Sequence, residues 1–279
     1  VIGALVLLAA AAQSAEVRYE ASRVAMGSKY TIVVYGASES SAAAAVNQAL
    51  DEITRLDELL SNYKPQSELS QVNQQAARGP VRVTPEFFRF LQTCDEYRRQ
   101  TGGAFDITLG RGRLSLDTRN FTVEFSTPEV KLDPGGIGKG VAVDRAIELL
   151  RAAGVRRAFV SAGMSTVYGL GAPPGEPGWK VLVRSPHSKD QAVLTVHLKD
   201  ESLSTSATYE KGSHIVDPRP GGGAARGALS ATALAPTATE SDALSTAFFV
   251  LRREGTARYL RAHLRNRAFL CDPECSWVK

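Results

Sequence analysis

Cysteine, methionine and tryptophan are all scarce in this chain, numbering 3, 2 and 2 among 279 residues. So few cysteines exclude a disulfide-rich scaffold. Cys271 and Cys275, in "FLCDPECSW", stand close enough to bridge across a proline-containing turn or to remain as two thiols. Metal binding by this pair would need further soft ligands, which no neighbouring residue supplies. Cys94 lies in a helical pattern and fits a small buried apolar role. Charge of one sign is not in excess either: 33 basic residues face 29 acidic ones, for a net charge of +4. With no lysine block interleaved with aromatics, nucleic-acid binding is disfavoured. A mildly basic surface instead favours an anionic small molecule. No repeat, long linker or low-complexity tract divides the chain. The one long apolar run is "VIGALVLLAAAAQSA", uncharged up to Glu16. It is shorter than the roughly 20 apolar residues of a comfortable membrane span. Its small residues from Ala12 to Ala15 fit the cleavage zone of a secretory signal. Residues 1–15 are therefore expected to be a partial secretory signal peptide, with a buried N-terminal helix as the alternative, and residues 16–279 an exported mature domain. No cysteine follows the run to carry a lipid anchor.

What is present is an ordinary globular composition, 43% hydrophobic and 22% charged, with enough apolar material for a sizeable core. "SKYTIVVYG" (Ser28 to Gly36) is β-branched and ends at glycine, which predicts a strand. After the serines from Ser38, Val46, Leu50, Ile53, Leu56, Leu59 and Leu60 recur at helical spacing. Thr84 and Pro85 suit the cap and first turn of a second helix that ends before Gly102. A third spans about Ile137 to Ala153, followed by a buried strand in "RRAFVSAG". The second half carries short β-rich stretches separated by turn residues, the pattern of an antiparallel sheet. Two more helices are expected, in "TESDALSTAFFVLRREG" and "GTARYLRAHL", and then a last strand in "RAFLC". "SNYKPQSELSQVN" places Tyr63 and Ser67-Glu68 in a loop. Together these predict one α/β domain.

The stretch "KLDPGGIGKGVAVDRA" (Lys131 to Ala146) sets glycines and Lys139 ahead of a helix. It is not a Walker A loop, because Asp133 stands where the first glycine belongs and Gly140 follows the lysine. It is not a dinucleotide fingerprint, because Val141 occupies the third glycine position. Glycines before a helix still let backbone N–H groups and the helix dipole approach an anion, and Lys139 adds a charge. A plain tight turn satisfies the same residues.

Further segments stand in a fixed order around it: "AMGSKY", "LSNYKPQSELSQVN", "TGGAFDIT", "STSATY", "HIVDPRPG" and "SDALSTAFFVL". The ordered set, from about Met26 to Leu251, resembles the FAD:protein FMN transferase family, the ApbE-like flavin transferases. The resemblance implies a single ApbE-like, T-fold-related domain of the α/β (α+β) class, with a mixed, largely antiparallel sheet and packed helices. It implies Mg²⁺-dependent transfer of FMN from FAD to a Ser or Thr hydroxyl of an acceptor flavoprotein, with release of AMP. On it, Met26, Tyr63, Ala104, Phe105, Asp106, Asp133 and Lys139 contact FAD. Gly136, Asp242, Ser245 and Thr246 surround the metal, and Lys139 and His214 serve the chemistry. A carboxylate and a hydroxyl at i, i+4 share a helical face, so Asp242 and Thr246 can reach one ion. Magnesium favours such hard oxygen donors, and a histidine with an ordinary pKa of about 6.5 suits a base. Each residue also has a structural reading: Asp242 as a first-turn acid, Thr246 bonded within its helix, Asp106 and Asp133 as turn formers, His214 as a satisfied structural side chain. An exported FAD-binding protein, or an FAD pyrophosphatase passing FMN to water, is the alternative activity. An exported, periplasmic or cell-envelope location agrees with the apolar run; membrane association would come only through the acceptor or an uncleaved signal. The sequence departs from the family pattern in a shortened segment of about 20 residues before Lys131, in Met164 and Ser165 where a second glycine and a polar residue are usual, in Ala207 for glycine and in Ser28 for threonine.

Overall fold

The computed structural model describes residues 16–188, 190–207, 215–223, 225 and 228–279. The expected signal segment, 1–15, and His214 lie outside them. Strands β1 (Val17–Ala25) and β2 (Ser28–Gly36) pair antiparallel from Val17 opposite Gly36 to Ala25 opposite Ser28. The connecting Met26 and Gly27 both have positive φ, 50° and 65°. That is the two-residue turn whose twist matches the flanking strands. β1 was not anticipated, because Arg18, Glu20 and Arg23 break its apolar alternation. Its place as an edge strand explains why it tolerates them.

Six more strands extend this hairpin into an eight-stranded sheet: β6 (Arg157–Ala162), β7 (Thr166–Leu170), β10 (Glu201–Ala207), β11 (Ser230–Ala235), β12 (Arg267–Cys271) and β13 (Cys275–Trp277). Its spatial order is β1-β2-β6-β7-β10-β11-β12-β13 and every neighbouring pair is antiparallel. Spatial order follows chain order throughout, so the sheet is a meander and everything else is inserted between its strands. One insert, the hairpin of β8 (Trp179–Arg184) and β9 (Ala192–Leu198), covers one face, where Trp179 and Leu198 pack on Val33, Val167 and Leu203.

Helices cover the other face. In α1 (Glu39–Leu60), Val46, Leu50, Ile53 and Leu56 are buried, and Ser38 accepts the Ser41 N–H as its cap. α1 packs with α4 (Gly138–Ala152) over β1, β2 and β6. α5 (Ala238–Ala262) lies over β10, β11 and β12. It comprises the two expected helices, which meet at a break at Arg252, whose φ is 56°. The Arg252 guanidinium is held there by Asp272, with Nε donating to Oδ2 at 3.0 Å. α3 (Pro85–Gln100) has Thr84 and Pro85 in the expected places and buries Phe87, Phe88, Phe90 and Leu91 in a second core beneath α5. Each such aromatic contributes about 1.5–3 kcal/mol by leaving water.

One expectation is corrected. Ser67-Glu68 is not loop: Ser67 caps the short α2 (Glu68–Gln75) by accepting from Ser70 N–H at 3.0 Å. The shortened segment is folded, as a hairpin of β4 (Leu114–Asp117) and β5 (Thr122–Phe125) that pairs with β3 (Val81–Arg82). Val123, Phe125, Val130 and Leu132 anchor it in the core. Cys271 and Cys275 form a disulfide across the β12–β13 hairpin, and Cys94 is buried and free.

Candidate functional site

The glycine-rich loop is fixed at both ends before it reaches α4. The Asn73 side chain, on α2, donates to Leu132 C=O at 3.1 Å and accepts Leu132 N–H at 2.7 Å. Asp133 N–H donates to Ile107 C=O at 2.8 Å, which ties the loop to the Ala104–Ile107 segment. The Asp133 carboxylate then accepts Gly135 N–H at 2.9 Å and shapes a 3-10 turn, Pro134–Gly136. α4 starts without a side-chain cap of its own. In its place Gly140 N–H donates to Asp242 Oδ2, on α5, at 2.9 Å. That amide is one of the first-turn donors that find no partner within the helix itself, and no hydrogen bond to the Gly136 carbonyl is found among the described residues.

Asp242 is 3% exposed and gathers donors from three elements, α4, β7 and β10. Besides Gly140 N–H, its Oδ1 accepts from Thr166 Oγ1 at 3.0 Å and Ser204 Oγ at 3.2 Å. Lys139 Nζ stands 3.5 Å from the same oxygen and 3.3 Å from Gly135 C=O. A row of hydroxyls continues towards the open side: Ser206 Oγ lies 2.9 Å from Ser245 Oγ and 3.4 Å from Thr246 Oγ1. Ser245 is fully buried, donates to Asp242 C=O at 2.9 Å and is not in the cavity lining.

These groups open onto a cleft with two lobes that share Ser28, Asp133, Gly135 and Lys139. One lobe, about 410 Å³, is lined by Met26, Leu60, Asn62, Tyr63 and Lys64. Tyr63 is 95% exposed on its rim, so one ring face is free for a planar ligand. Met26 lies in the β1–β2 turn, with its sulfur accepting from Tyr30 Oη at 3.2 Å. The other lobe, about 210 Å³, brings Ala104, Phe105 and Asp106 together with Gly136, Asp242 and Thr246. Burial pushes the Asp106 carboxyl above the usual carboxylate range, against two bonds from Thr108. Burial, with the charge of Asp242 next in size, also drives the Tyr30 phenol strongly upward.

The sequence model of the ApbE family matches residues 26–114 and 111–270. The chain belongs to the ApbE family. A protein named FAD:protein FMN transferase from Treponema pallidum (strain Nichols) is 28% identical over 299 residues, covering 87% of this chain and 81% of its own length. The protein of the same name from Escherichia coli (strain K12) is 27% identical over 259 residues, covering 73% and 72%. Among solved structures, the ApbE protein of Thermotoga maritima matches with a TM-score of 0.81 at 26% identity, covering 93% of this chain and 96% of that one. The flavinyl transferase ApbE of Pseudomonas stutzeri, at 22% identity and a TM-score of 0.82, shares the fold over 95% of each chain.

The ApbE-family fold, a mixed α/β domain on a largely antiparallel sheet, is the one expected. Every site residue named from the sequence that is described lines the cleft, apart from Ser245 behind it. His214 falls outside the described residues. Among the described residues no three His, Cys, Asp or Glu side chains cluster as metal ligands. The donor set fits magnesium: one carboxylate, the Thr246 hydroxyl and a carbonyl left free, with no soft atom among them. A Cβ at Gly136 would lie 3.0 Å from Thr246 Oγ1, so that cradle depends on a bare backbone. Sequence reasoning missed Asn73, Gly140, Asp144, Thr166, Ser204 and Ser206. All but Thr166 stand inside or beside quoted motifs, but nothing in spacing says which hydroxyl of "STSATY" faces inward. Met164 adopts φ 63° in the β6–β7 turn, a conformation that glycine adopts at least cost.

Proposed function

We propose that this chain is a transferase that moves FMN from FAD to a Ser or Thr hydroxyl of an acceptor flavoprotein, with Mg²⁺ and release of AMP. The observation that carries the reading is the two-lobed cleft. One lobe offers an exposed tyrosine and a methionine to a flavin ring. The other, across Lys139 and Asp133, offers hard oxygens and a cation to a pyrophosphate. Family membership and relatives named for this activity support it.

In the reaction the acceptor oxygen attacks the FMN-side phosphorus. A new P–O bond forms, the P–O bond to the bridging oxygen breaks, and that oxygen leaves on AMP. Bound magnesium supplies neutralisation of the charge that builds on the phosphates. Asp242, Thr246 and the Gly136 carbonyl are the residues that would hold it. Lys139, a compact point charge, would pair with phosphate oxygens. Tyr63 and Met26 fix the isoalloxazine, and Ala104, Phe105 and Asp106 close the second lobe. His214 is assigned as the base that takes the acceptor proton, on its chemistry alone.

Export belongs to the same proposal; the apolar run at residues 1–15 and the Cys271–Cys275 disulfide, a bond at home in oxidising compartments, support it. Among the described residues no helix is long and apolar enough to cross a membrane. The decisive test mixes the protein with FAD, Mg²⁺ and an acceptor flavoprotein. AMP release with an FMN mass increase on the acceptor is expected. AMP with an unmodified acceptor would point to hydrolysis instead.

A further inference from the structure

The N-termini of α4 and α5 are capped by each other's carboxylates. Asp242, on α5, accepts Gly140 N–H in the first turn of α4. Asp144, one turn further along α4, accepts Ala238 N–H at 2.7 Å and Thr239 N–H at 2.8 Å, the first two amides of α5. It also accepts Thr239 Oγ1 at 2.6 Å. Thr237 Oγ1 takes the third amide, Glu240 N–H, at 3.2 Å. Each helix therefore begins on the other, and the two share the acids that complete their first turns. Approach is close enough that a Cβ on Gly140 would lie 2.3 Å from Ala238 C=O. Asp144 does not line either lobe of the cleft, so its effect on chemistry must pass through α5.

We propose that Asp144 is the positioning residue of the metal-binding end of the cleft. It sets the register of α5 against α4 and thereby holds Asp242 on Gly140 N–H with Oδ1 turned to Lys139. The proposal rests on the reading of Asp242 as a metal ligand. A surface cap would tolerate small shifts of its helix. Here a slip of α5 along α4 moves Asp242 off the Gly140 amide, and Thr246, on the same helix, moves with it away from Gly136. One displacement therefore removes two proposed ligands.

The test compares Asp144→Asn with Thr237→Ala. Asparagine keeps the shape but turns an NH₂ group towards one of the α5 amides. Thr237→Ala strips a cap from the same helix end without touching the link to α4, so it controls for fraying. The first readout needs no metal: the chemical shift and hydrogen-exchange rate of Gly140 N–H by NMR. Asp144→Asn is expected to shift that resonance and speed its exchange at least about tenfold, as loss of an ordering hydrogen bond allows. Thr237→Ala should leave it in place. The second readout is Mn²⁺ affinity by paramagnetic resonance in the absence of FAD. Asp144→Asn should weaken it about 10–100-fold, the usual range for losing a group that orients a ligand. Thr237→Ala should change it less than about threefold. Should Asp144→Asn fail to fold, Thr239→Val removes one hydroxyl bond to Asp144 and should shift the Gly140 resonance in the same direction. An unmoved Gly140 amide in the Asp144 variant, or equal shifts with Thr237→Ala, overturns the proposal. A wild-type protein that binds no Mn²⁺ overturns the metal reading instead, while the Gly140 amide still decides the positioning role.

Discussion

Asp242 is the residue on which most of the site converges, and its surroundings set the expectations at this scale. Asp242→Ala leaves Thr166, Ser204 and Gly140 N–H without their acceptor and removes the one carboxylate among the proposed ligands. AMP release should fall by roughly 100-fold or more at fixed Mg²⁺, the scale of losing a main electrostatic stabiliser; excess metal should not restore it. Tyr63 calls for a different outcome. Its ring is 95% exposed and buries little among the described residues, so Tyr63→Ala should keep the melting temperature. It should raise KM for FAD about 3–10-fold with kcat unchanged, as expected for a stacking contact felt equally before and during reaction. Residues whose type announces their chemistry were legible in the sequence: Asp242 and Thr246 by their i, i+4 spacing, Lys139 by its glycines. Asn73, Asp144 and Thr166 were not, because each acts on backbone or carboxylate groups distant in the chain, and only the packed fold supplies those partners.

Between α4 and α5 the controlling contact is a glycine against a backbone carbonyl. Gly140→Ala would place a methyl 2.3 Å from Ala238 C=O and 2.7 Å from Thr239 Cα. Neither atom can rotate away, so the helices must part. A loss of about 1–3 kcal/mol in urea unfolding is expected from such overpacking, with weaker Mn²⁺ binding alongside it. Wild-type stability in that variant would show that the contact has slack. Elements with strong periodicity were read correctly from the sequence, as in α1, α3 and β2. The misses share one physical cause, which is that long-range pairing overrode a weak local pattern. β1 carries three charges and is held by β2. The β4–β5 hairpin is held by β3 and the core below it. α2 is only eight residues long, and its cap at Ser67 hid within a run of turn formers.

Across the whole molecule, charge couples stability to pH in two opposed ways. Bonds from Arg252 hold the Asp272 carboxyl below the usual carboxylate range. Its folded value thus lies below the unfolded one of about 3.9. The stability it contributes is fully present above that pH and is lost as pH falls through the folded value. Asp272→Asn should therefore lower the melting temperature at pH 7, and the gap to wild type should narrow in thermal scans as pH falls below the unfolded value of about 3.9. A gap that stays constant across that range would mean that the pair contributes packing alone. Burial raises Asp106 and Asp144 instead. Their contribution runs the other way, falling as pH rises from the unfolded value through the folded one. The meander places β1 and β13 at opposite edges of the sheet, and β1 runs towards the cleft, with Met26 at its far end. From Val17 to Ala25 the strand spans about 27 Å at the usual rise per residue. Any tether that joins the protein ahead of residue 16 therefore pulls from the end remote from the cleft. On a surface, the mouth of the cleft would point outward, into the space where a second protein can approach.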